Sequence, residues 1–269
     1  MLSDNDLDAY FARIGYSGPR EATLPVLNAL ASAHARAIPF ENLDVLLGRP
    51  IALDEASLVG KLVHARRGGY CFEQNGLLLA VLEKLGFTAR PISARVRWQK
   101  PRDYTPPRTH LFLRVELDGQ SWLVDVGVGG LSLTSAIRLV ENIEQPTPHE
   151  TRRLVRDGAR WLHQVQIAGE WLDVCEFTLE EMPPIDRELA NWFTSTHPES
   201  HFRHRLIAAR ATRDGRITLQ NRELVRRRHG GPSEAHVIAD HDELLRVLAD
   251  EFHLEFPADI RIRCTGLEW

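Results

Sequence analysis

The chain is poor in the features that would assign it to several large classes of protein. Its three cysteines, Cys71, Cys175 and Cys264, are odd in number, widely spaced and form no CxxC pair. That pattern argues against a disulfide framework and against a cysteine-based zinc site. Reduced thiols fit the cytoplasm. No apolar run approaches the ~18 residues of a membrane span, and Met1-Leu2-Ser3-Asp4 carries no basic-then-apolar export signal. The expectation is a cytoplasmic protein without a membrane partner. Positive charge is not in surplus: 33 basic against 37 acidic residues leave a net charge of -4, so nucleic acid is not an expected partner. His201 and His204 fall at i, i+3, but no third ligand is spaced beside them, and no metal is expected. Internal repeats and low-complexity stretches are missing, and Arg226-Arg227-Arg228 reads as a solvated strand end.

What is present is an ordinary globular composition. With 269 residues, 43% of them hydrophobic and 26% charged, the chain can bury a sizeable core and hold two or three small domains. The pattern predicts a multidomain α+β protein. Residues 1–86 read as a helical bundle. Ser3 or Asp4 caps a helix with Leu7, Tyr10, Phe11 and Ile14 on one face, Leu24, Leu27, Leu30 and Ala31 repeat the pattern, and Pro39 ends it. Asp54 opens a third helix that Gly68-Gly69 breaks. Over 87–183 the period changes to two, with apolar runs at Pro91 to Trp98, Leu111 to Leu117, Trp122 to Val126, Trp161 to Ile167 and Trp171 to Phe177. These predict an antiparallel barrel or strongly curved sheet, with Glu141 to Glu150 as a surface loop. Residues 184–269 read as an α/β segment: irregular from Trp192 to Phe202, then strands near Arg205 to Ala211 and Arg216 to Leu219, and a closing helix bearing Leu244, Leu245, Leu248 and Phe252.

One cysteine stands apart from its plain reading as a small buried hydrophobe. Cys71 follows Gly68-Gly69-Tyr70 and precedes the helical spacing of Leu77, Leu78, Val81, Leu82 and Leu85, so it sits at a helix N-terminus. Unpaired N–H groups and the positive end of the helix dipole favour a thiolate there. Glu73-Gln74-Asn75 on the first turn of an otherwise apolar helix are wasteful for packing alone. A cysteine nucleophile needs a base, and the base an orienting acceptor. His110 opens the run Leu111 to Val115, and Asp125 interrupts Leu123-Val124-Asp125-Val126, where a charge is costly without a partner. In a hairpin turning at Asp118-Gly119, opposed residue numbers sum to about 237, which brings His110 within a register slip of Asp125.

At this point the chain resembles the arylamine N-acetyltransferases, bacterial type, whose motifs stand here as Arg67 to Asn75, Thr109-His110 and Asp125 to Gly130. Pro39 to Leu43 and Thr194 to Pro198 with Phe202 extend the likeness over most of the chain. The resemblance implies a helical bundle, a β-barrel and an α/β lid, with a cysteine-protease-like triad of Cys71, His110 and Asp125. It implies acetyl-CoA as co-substrate and a small aromatic amine or hydrazine as acceptor. Carried over, Gly127, Gly129, Gly130, Thr109, Thr196 and Phe202 lie near the coenzyme or the cleft, and Phe40 walls the acceptor pocket. Val128 stands where phenylalanine is usual. A related amide synthase or hydrolase shares the same triad logic, an inactive binding protein would keep the fold without acylation, and a homo-oligomer is compatible with the sequence.

Overall fold

The computed structural model describes residues 2–269. Helix α1 (Asp4–Ile14) starts where the Ser3 hydroxyl accepts the Asp6 N–H at 3.1 Å and stops at Gly15 with φ 67°. Then come α2 (Leu24–Ala37), the short strand β1 (Phe40–Glu41), α3 (Leu43–Leu46), α4 (Glu55–Leu58) running into a π-turn over Val59–His64, and α5 (Cys71–Lys84). Leu7, Leu27, Leu30, Leu62, Leu78 and Leu82 from these helices share one core with Leu113, Val115 and Val124 of the sheet that follows. Helix α5 is buried along most of its length, so hydrophobic transfer of about 1.5–3 kcal/mol per large side chain anchors the segment that carries Cys71.

Eight strands follow: β2 (Thr88–Val96), β3 (His110–Leu117), β4 (Gln120–Val124), β5 (Ile137–Arg138), β6 (Gln145–Pro146), β7 (Thr151–Asp157), β8 (Arg160–Ile167) and β9 (Glu170–Glu181). They form one antiparallel sheet in the order β5-β4-β3-β2-β9-β8-β7-β6, coiled into a nearly closed barrel. Asp118 and Gly119, at φ 52° and 71°, make the β3–β4 turn, and Leu113 lies opposite Val124, the register anticipated from the turn. Ala168 and Gly169 repeat the device between β8 and β9. The stretch from Glu141 to Glu150 is not wholly a surface loop: it holds β6, and His149 at its end is buried.

The last segment begins with α6 (Pro184–Thr196), where irregular chain was anticipated from Trp192. The reason is an inverted pattern. Ile185, Leu189 and Trp192 face solvent while Ala190, Asn191 and Thr194 face inward, so the large apolar residues mark the wrong side of the helix. Strands β10 (Ile207–Ala211), β11 (Gly215–Gln220), β12 (Glu223–Arg228) and β13 (Ser233–Val237) follow, then α7 (His241–Phe252). Their sheet runs β1-β10-β11-β12-β13, with Phe40 opposite Ala209. The first segment thus donates a strand to the last, and Leu43 enters the core under α7.

Candidate active site

Cys71 is the first residue of α5 and Tyr70, extended, is its N-cap. The polar first turn has specific partners. Glu73 accepts the Tyr70 N–H at 3.0 Å and the Lys61 ammonium at 2.6 Å. Burial lifts Glu73 to about 7 in spite of Lys61 beside it. Gln74 donates to the carbonyls of Pro39 at 2.7 Å and Gly69 at 3.1 Å, tying β1 and the glycine pair to the helix. Its carbonyl pairs with His34 Nε2 at 2.6 Å, and His34 Nδ1 with the Tyr10 hydroxyl at 2.9 Å. Burial pulls His34 down to about 4, so it is neutral at pH 7: Nε2–H donates to Gln74 and Nδ1 accepts from Tyr10. Gly68 fits because a Cβ there would lie 2.2 Å from the Pro39 carbonyl oxygen.

Asn75 links three elements. Its amide nitrogen donates to the Leu111 carbonyl at 2.7 Å and to Asp125 Oδ1 at 3.0 Å, while its oxygen accepts the Val126 N–H at 3.0 Å. The Gly127 N–H also donates to Asp125 Oδ1, at 3.0 Å. The other carboxylate oxygen, Oδ2, pairs with His110 Nε2 at 2.7 Å. The Cys71 sulfur, close enough to His110 to help raise its pKa, lies 3.6 Å from the Thr109 carbonyl oxygen. Cys71, His110 and Asp125 are 4%, 2% and 1% exposed. Burial pulls the imidazole down, but the charge and hydrogen bond of Asp125, with the sulfur nearby, outweigh it and raise His110 to about 10. Burial would likewise raise Asp125, yet His110, Asn75 and Gly127 hold it below the usual carboxylate range.

The remaining anticipated residues divide. Phe40, with Phe202 at 6.1 Å between ring centres, shares an apolar cluster with Cys71 and Tyr70. Thr109 offers its carbonyl to the sulfur. Gly129, at φ 69°, lies against the Phe40 ring, whereas Gly130 backs onto Thr218 of β11 and Gly127 onto the Cα of Cys71. Val128 packs against the cluster of Leu131, Val165 and Val174. Thr196 is exposed at the end of α6, with its carbonyl taking Arg203. Cys175 lies in the barrel core, where burial pushes its thiol up. Among the described residues no group of three His, Cys, Asp or Glu side chains is set to hold a metal.

Sequence reasoning missed Asn42, whose amide donates to the carbonyls of Phe202 and Arg205, both at 2.7 Å, and so fixes the turn that carries Phe202. It also missed the ion-pair cluster of Glu41, Asp44, Lys61 and Arg67 behind the glycine pair. The one available signal was a run of adjacent polar residues, Glu41-Asn42, inside an apolar stretch.

A thiol at a helix start, an imidazole beside it and a carboxylate behind the imidazole form the arrangement of a cysteine-nucleophile acyl-transfer site. A family model described as N-acetyltransferase matches residues 23–261. The arylamine N-acetyltransferase of Escherichia coli K12 is 43% identical over 249 residues, 92% of this chain and 88% of that protein. The solved structure of the Mycobacterium tuberculosis arylamine N-acetyltransferase superposes with a TM-score of 0.89 at 44% identity, covering 91% of this chain and 93% of that one. The Mycobacterium marinum enzyme in complex with CoA gives a TM-score of 0.89 at 41% identity, covering 92% of each chain. The chain belongs to the arylamine N-acetyltransferase family.

Proposed function

We propose that the chain transfers an acetyl group from acetyl-CoA to the nitrogen of an arylamine or arylhydrazine, in two half-reactions through an acetyl-cysteine. In the first, the Cys71 sulfur attacks the thioester carbonyl with its proton held on His110. The tetrahedral intermediate collapses, the C–S bond to CoA breaks, and His110 returns the proton to the departing CoA thiolate. In the second, the amine nitrogen attacks the acetyl-cysteine, His110 takes the proton that nitrogen loses, and the Cys71 sulfur leaves. Thioester exchange is nearly isoenergetic, so the acyl-enzyme stays reactive toward a weakly basic aromatic amine. In this reading, backbone N–H groups at the start of α5, that of Cys71 among them, receive the oxyanion.

The observation that carries this reading is His110 beside Cys71 and held by Asp125, with its pKa raised to about 10, so that the imidazole carries its proton across neutral pH. In the same reading Asp125 and Asn75 position the imidazole, Phe40, Thr109 and Phe202 line the cleft, and the chain works in the cytoplasm. The test is intact-protein mass spectrometry after incubation with acetyl-CoA, with and without an arylamine. An acetyl adduct on Cys71 that disappears when the amine is added, with release of acetylated amine, is the expected result. Free acetate without acetyl-amine points to a hydrolase, and failure to form any adduct defeats the reading.

A further inference from the structure

The five-stranded sheet has one open edge. Ser233, Glu234, Ala235, His236 and Val237, the whole of β13, are exposed, and β13 ends the strand order. The opposite end of this sheet and both ends of the barrel sheet are two-residue strands, β1, β5 and β6. No lysine, proline or bulge interrupts β13, the devices that ordinarily keep an edge from pairing.

The direction of its backbone groups follows from the ladder. On β12, Glu223 lies opposite Val237, Val225 opposite Ala235 and Arg227 opposite Ser233, and just beyond the strand the Ile238 N–H donates to the Arg222 carbonyl at 2.8 Å. Hydrogen-bonded and non-hydrogen-bonded pairs alternate in an antiparallel ladder. Ile238, His236 and Glu234 therefore spend their N–H and C=O groups on β12. Val237, Ala235 and Ser233 aim theirs outward.

We propose that this edge pairs with the same edge of a second copy of this chain, antiparallel about a two-fold axis at Ala235. In that register Ala235 faces its own counterpart and Ser233 faces the second copy's Val237, so every outward donor and acceptor is matched, with about six hydrogen bonds. Glu234 faces the second copy's His236, and the reverse, in the non-hydrogen-bonded pairs where side chains come closest. His236 Nε2 already pairs with Glu243 at 2.7 Å, which leaves Nδ1 for the incoming carboxylate. Val237, 61% exposed, gains apolar cover on the other face. Centring instead on Glu234 would also use outward backbone groups, those of Ser233 and Ala235, but it sets carboxylate directly against carboxylate in the pair where side chains come closest.

The full-length chain tests this by sedimentation velocity over a concentration series and by disulfide trapping under mild oxidation, with wild type as the background for Cys264. Paired Cα atoms of a hydrogen-bonded antiparallel pair lie ~5.5 Å apart, within reach of a disulfide, so Ala235→Cys links two copies. Ser233→Cys does not, because its own counterpart is about 13 Å away along the strand. Ala235→Pro deletes the central outward N–H without touching the β12 ladder, and its expected result is loss of the concentration-dependent dimer with turnover retained. A monomer at every concentration, a dimer that survives Ala235→Pro, or equal trapping at 233 and 235 overturns the proposal.

Discussion

Replacing Gly127 by Ala separates two accounts of the glycine-bearing loop. A Cβ at this position would lie 2.7 Å from the Cys71 Cα and 2.6 Å from the Asn75 amide nitrogen. Ordinary contact begins near 3.4 Å, so something must move by roughly 0.7 Å. Neither neighbour yields readily, since one is backbone at the start of a buried helix and the other makes three hydrogen bonds. Overpacking of this kind costs about 1–3 kcal/mol, which in a chain of this size lowers Tm by about 2–12 °C. The same shift parts Cys71 from the loop that holds Asp125. At about a hundredfold in rate per ångström of misplacement, acylation should fall by at least about tenfold. The assay is single-turnover acetylation of Cys71 by acetyl-CoA, read by mass, set beside alkylation of Cys71 by iodoacetamide. If Gly127 served only to let the coenzyme approach, the variant would need more acetyl-CoA but would alkylate normally. Close packing predicts that both reactions slow together and that Tm falls. Alkylation at the wild-type rate with Tm unchanged would refute it. Gly129→Ala is the contrast: a side chain at φ 69° strains the turn, but it meets the Phe40 ring at an ordinary 3.7 Å, so stability should drop while alkylation of Cys71 holds.

Asp125→Asn, in a variant shown to be folded, should slow acylation by roughly 10⁴-fold, as loss of an orienting carboxylate does in comparable triads. It should also change the pH dependence of stability. His110 is raised from 6.5 to about 10, so its contribution is complete below pH 6.5 and is lost as pH rises toward 10. Denaturant unfolding across that window should show the downward slope in wild type and its flattening in Asp125→Asn. His34 has the opposite sign. It is lowered from 6.5 to about 4, so the unfolded chain takes up a proton that the folded chain refuses, and stability is lost as pH falls between those values by at most about 3 kcal/mol. His34→Gln should remove that acid-side slope whatever it costs at neutral pH.

Much of the site was legible because its signals are local. The glycine break and the apolar period fix where α5 begins, and the Asp118-Gly119 turn fixes the β3–β4 register that brings His110 toward Asp125. Helix α6 was only partly legible because the cue it offers, large apolar side chains, points at solvent. Asn42 and Asn75 were legible as residues but not as roles, since their partners lie 36 to 165 positions away along the chain.

The same limit explains why a row of glycines reads ambiguously. A glycine is required wherever a Cβ would collide, and the collision partner is a tertiary fact: for Gly127 it is helix α5, for Gly130 it is Thr218, and for Gly68 it is the Pro39 carbonyl. These three contacts join the loop after Asp125 to the bundle, the same loop to the last sheet, and the approach to Cys71 to β1. Asn75 uses the first of them, because only with Gly127 pressed against the Cys71 Cα can one amide reach Leu111, Asp125 and Val126 together. The orientation of His110 therefore depends on close backbone packing as much as on its own hydrogen bond. On the proposed mechanism, a chain that kept Cys71, His110 and Asp125 but lost that packing would retain the three side chains and lose the alignment that acyl transfer needs.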